Sequence, residues 1–92
     1  MDNPRTAAHR AVIDAALHAT PDTVDDAAEH VIEVATIGIR NTPSMGQEHT
    51  ALLMARGAAL YVQQSTPDPA QGAAALRAMG WALDSLPYPA RA

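Results

Sequence analysis

Apolar residues fall into four stretches with helical spacing: Val12, Ile13, Ala16 and Leu17; Val24, Ala27, Ala28, Val31, Ala35 and Gly38; Leu52, Leu53, Leu60, Tyr61 and Val62; then Leu76, Met79, Leu83 and Leu86. Thr20-Pro21, Thr42-Pro43 and Thr66-Pro67 separate the stretches, and Asn3-Pro4 precedes the first. Proline drives the residue before it out of the α region but fits the first helical turn, where its missing N–H costs nothing. The pattern predicts an all-α four-helix antiparallel bundle with helices over about residues 4–19, 21–40, 45–64 and 69–86. Residues 1–87 form one domain on this reading, and 88–92 an extended C-terminal tail beyond Pro87.

Boundary residues support the assignment. Asn3 suits an N-cap, and Asp22, Asp25 and Asp26 stand where the dipole of the second helix favours negative charge. Arg40 and Asn41 close that helix, Asn41 as a left-handed cap. Ser44 with Gln47, and Asp68 with Pro69 and Gln71, have capping-box spacing for the third and fourth. The β-branched run from Val31 to Ile39 also suits a strand, but no second segment exists to pair with it, so helix is preferred. Ile32, Val34, Ile37 and Ile39 lie outside its narrow stripe, which predicts a helix either central in the bundle or buried in an oligomer interface.

Composition narrows the function classes. Of the residues, 48% are hydrophobic, but 21 are Ala, Phe is absent, and Trp81, Tyr61 and Tyr88 are the aromatics. Such a core is thin, and small domains with thin cores commonly rely on oligomerisation. Six arginines, spread singly, face ten acidic residues for a net charge of −4, which argues against a nucleic-acid partner. Lys and Cys are missing, which excludes a Schiff-base lysine, a thiol nucleophile, a disulfide framework and a Cys-ligated zinc. No apolar run nears the roughly 18 residues of a membrane span, and the N-terminus lacks a basic region followed by an apolar one; the expectation is no membrane and a cytoplasmic setting.

Short loops make successive helices antiparallel neighbours, so residues can be levelled across each hairpin. Folding about residues 20 and 21 sets His9 and Arg10 level with Val31 and Ile32, gathering His9, His30 and Glu33 with Glu29 nearby. A His/carboxylate group of this kind suits a metal site or an acid-base pair, whereas Arg10 and Arg56 salt-bridged to Glu29 and Glu33 is the plainer outcome. Gly57 is expected opposite Leu76, and Gly80 opposite Leu53. Met45, Met54 and Tyr61 suit either a ligand pocket or core filling. Trp81 lies off the leucine seam, on a face with Ala74, Ala78 and Ser85, where it either packs on the first helix or anchors a partner.

Asp84-Ser85-Leu86 resembles the phosphopantetheine-bearing motif of acyl carrier proteins, but in carriers that motif opens the second helix and here it closes the fourth. Arg10, Ile13 and Asp14 resemble part of the first helix of short helical chorismate mutases, whose active-site Lys has no counterpart in this chain. The expected function is therefore a small non-enzymatic helical interaction module, self-associating, with the homodimer the expected form, and serving as an accessory or regulatory subunit. Trp81, Ile32, Ile37 and Ile39 are its expected interface, and no cofactor is expected. A metal- or ligand-binding bundle built on His9, His30 and Glu33 is the alternative, and a small His/Glu acid-base enzyme the third reading.

Overall fold

The computed structural model of the chain describes residues 7–44, 46–65 and 68–85. They form four helices, α1 (Ala7–Leu17), α2 (Val24–Arg40), α3 (Gln47–Ser65) and α4 (Pro69–Asp84), with no strand among the described residues. Successive helices pack side by side, and α4 returns against α1 to close the ring, while the diagonal pairs touch less. This is the all-α four-helix bundle read from the pattern, and the β-branched run of α2 is helical throughout. Asn3, Met45, Thr66, Leu86, Pro87 and the tail lie outside the described residues.

Side-chain chemistry explains where helices start. Asp68 caps α4 as its spacing predicts: its Oδ1 accepts the Ala70 N–H at 3.0 Å, with Pro69 in the first turn. The start of α2 differs. Thr20 and Thr23 bond reciprocally, each backbone N–H reaching the other's Oγ1 at 3.0 and 3.2 Å, so Pro21 and Asp22 sit in a turn and the helix begins at Val24. Threonine side chains that bond nearby backbone compete with helix, and here they win over the proline signal. At α3, Gly46 C=O takes the first helical bond, from Thr50 N–H at 3.2 Å, which leaves Ser44 outside a capping position. Asn41 also departs from expectation. It is not left-handed (φ −108°); its Nδ2 donates to Ile37 C=O and Thr42 Oγ1 to Gly38 C=O, which satisfies the last carbonyls of α2 directly.

Close backbone approach is set by two glycines. A Cβ at Gly38 would stand 2.7 Å from Leu52 Cδ1 and 2.9 Å from Ala8 Cβ, so α1, α2 and α3 converge there. A Cβ at Gly80 would stand 3.0 Å from Ala16 Cβ and 3.2 Å from Leu17 Cγ, which places Gly80 against α1 and not opposite Leu53. Arg77 Nη1 donates to Ala19 C=O at 2.8 Å and ties α4 to the end of α1. Gly57 does not meet Leu76. A Cβ there would find nothing within 4 Å, because α3 turns Ala51, Leu52, Ala55, Ala59 and Val62 inward and Gly57 outward.

Candidate functional site

The turn that delays α2 also moves the expected His/Glu cluster apart. With six residues between the helices, the Gly38 backbone lies against Ala8, so His9 is level with the last turns of α2 and not with Val31. His30 lies about eight residues back along α2, roughly 12 Å away. His9 is fully buried, its Nδ1 3.8 Å from Glu48 Oε1 in the first turn of α3, whereas His30 and Glu33 are exposed on α2. Among the described residues no group of three or more His, Cys, Asp or Glu side chains stands close enough to hold a metal ion. Glu29 accepts a hydrogen bond from Gln63 Nε2 at 3.2 Å, at the level where the sequence places Arg56.

Beside His9 and Glu48, the end of the bundle carries a second polar contact. Thr42 Oγ1 donates to Gly38 C=O and lies 3.1 Å from His49 Nδ1. These contacts join the start of α1, the end of α2 and the start of α3. They read as a structural clasp: the His9 ring has no surface to offer a substrate.

The expected interface residues divide. Ile32 and Ile39 are half-buried and pack against the core, while Ile37 and Trp81 are exposed, 57% and 66%. Four of the six exposed large apolar side chains lie elsewhere, on α3. Leu53, Met54, Leu60 and Tyr61 are 37–64% exposed, and with the open Gly57 they cover one side of that helix. Met54 and Tyr61 therefore belong to this outer face and do not fill the core; Met45 lies outside the described residues. A hundred degrees per residue places Leu60, Leu53, Gly57, Tyr61 and Met54 within about 120° of arc, opposite the buried Leu52, Ala55, Ala59 and Val62. A sequence signal for it exists. Between Glu48 and Asp68 the one charged side chain is Arg56, and a helix apolar all round is one covered on both sides.

Fold and surface together define a four-helix bundle with an apolar outer helix face. No protein-family model matches the chain, and neither a curated protein nor a solved structure is significantly similar to it. Among the described residues no helix is long and apolar enough to cross a membrane.

Proposed function

We propose that the chain is a small non-enzymatic helical interaction module that self-associates through the outer face of α3 and serves, in the cytoplasm, as an accessory or regulatory subunit. One observation carries this reading: α3 buries one apolar face in the bundle and leaves another, Leu53, Met54, Leu60 and Tyr61, in water. Those side chains leave on the order of 400 Å² exposed, a size at which the largest patch of a monomer is often functional. A standard stable interface covers about 800 Å² per partner, so the expected association is weak and reversible, in the micromolar range.

Sedimentation velocity from low micromolar to near-millimolar concentration tests it. The expected result is a monomer that converts to dimer as concentration rises. A protein that stays monomeric across the range would remove self-association from the reading.

A further inference from the structure

We propose that the dimer is an antiparallel pair of α3 helices from two copies, crossing at Gly57 on a two-fold axis; this rests on the α3 face being the self-association surface. The apolar positions are symmetric about that glycine. Leu53 and Tyr61 stand four residues before and after it, Met54 and Leu60 three. A two-fold between antiparallel helices keeps each flank of the face on its own side, so Leu53 meets Leu60 of the copy along one edge and Met54 meets Tyr61 of the copy along the other. The first pair is aliphatic; the second sets a thioether against an aromatic ring, itself a favourable contact. An isologous contact requires such self-complementarity.

Gly57 itself supports the crossing point. Glycine in a helix interior is disfavoured relative to alanine, and within one copy a Cβ at this position meets nothing within 4 Å. Packing inside the bundle therefore does not require glycine here, whereas the close approach of a second helix does.

Charge along the α2 flank suits the antiparallel sense. The outer face from Thr50 to Gln64 is uncharged apart from Arg56, which stands on the α2 flank one residue from the axis and so comes beside its own mate at the edge of the contact. Alongside, α2 is acidic at its start (Asp25, Asp26, Glu29) and carries Arg40 at its end. The Glu29 bond to Gln63 sets Glu29 six residues past the Gly57 level, and the Gly38 contact with Leu52 sets Arg40 a similar distance before it. The antiparallel pair thus brings Arg40 of one copy level with Glu29 of the other. The contact area, well below that of a standard interface, makes this a dissociating dimer.

The chain has no cysteine, so introduced thiols report the geometry without background. Leu53→Cys and Leu60→Cys proteins are mixed above the dimer midpoint and oxidised, and each is also oxidised alone. A disulfide-linked dimer is expected in the mixture, since the two positions are nearly level across the axis. Neither variant should cross-link to itself, because Leu53 and its mate are about 12 Å apart along the helices and Leu60 and its mate about 9 Å. Met54→Cys with Tyr61→Cys should repeat the result on the other edge, and Gly57→Ala should weaken association about tenfold by intruding on the crossing.

Efficient self-cross-linking of Leu53→Cys alone, or a Gly57→Ala protein that associates as well as the parent, would overturn the proposed geometry. Absence of cross-linking in both mixtures, with sedimentation still showing dimer, would overturn the geometry alone and leave the interaction reading standing. A monomer in sedimentation would end both.

Discussion

Leu52→Ala is expected to lower the stability of the fold by about 3–4 kcal/mol, the cost of a buried leucine side chain plus the cavity it leaves. Leu52 is fully buried, and its Cδ1 occupies the space that the missing side chain of Gly38 leaves open where α1, α2 and α3 converge. Gly38 and Ala8, which meet it there, have no side-chain length to fill the space. For 92 residues a typical total is about 5–14 kcal/mol, so the loss is a large share of it. In a dilute thermal melt the midpoint should fall by about 15 °C or more. Leu53→Ala, one residue along, should cost less than about 1 kcal/mol, since Leu53 faces outward and is 41% exposed. Equal losses at the two positions would mean that α3 is rotated differently from the structure.

Tyr61→Glu should do the reverse. Tyr61 is 60% exposed on α3, and glutamate is at least as good a helix former as tyrosine, so the dilute melting temperature should change little. Association should weaken a hundredfold or more, because each copy then carries a carboxylate into an apolar contact where no cation faces it. Sedimentation of this variant beside the parent checks both halves. A variant that dimerises normally would show that the contact lies off this face. Together with Leu52→Ala it separates the two sides of one helix, the inner for folding and the outer for association.

The reasons for reading four helices from the sequence are local, and local chemistry is what the chain displays openly. Asp68 with Pro69 announces the start of α4, and its carboxylate caps that helix as the spacing suggests. The β-branched run in α2 resolves to helix because no partner strand competes for it. Register is less open. The reciprocal bonds of Thr20 and Thr23 take a stretch out of the expected second helix, and the shift separates His9 from His30 and Glu33 and delivers it to Glu48. That pairing joins α1 to α3, two elements that hairpin levelling does not compare.

Helix rotation is the other hidden quantity. In α3, every residue from Ala51 to Val62 is apolar apart from Arg56 and Gly57, so periodicity singles out no inner face. Packing decides it: the alanines Ala51, Ala55 and Ala59 go inward with Leu52, where helices must lie close, and the larger Met54, Leu60 and Tyr61 are left outside. The same arrangement explains why the α2 residues Ile32 and Ile39 pack on the core while the apolar surface gathers on α3.

The most direct test of the α3 contact is a concentration series of backbone amide spectra on uniformly ¹⁵N-labelled protein. Concentration-dependent shifts or broadening are expected at Leu53, Met54, Gly57, Leu60 and Tyr61, with the amides around Trp81 and Ile37 unmoved. Spectra that do not change with concentration, or changes centred on Trp81 or Ile37 instead, would contradict it.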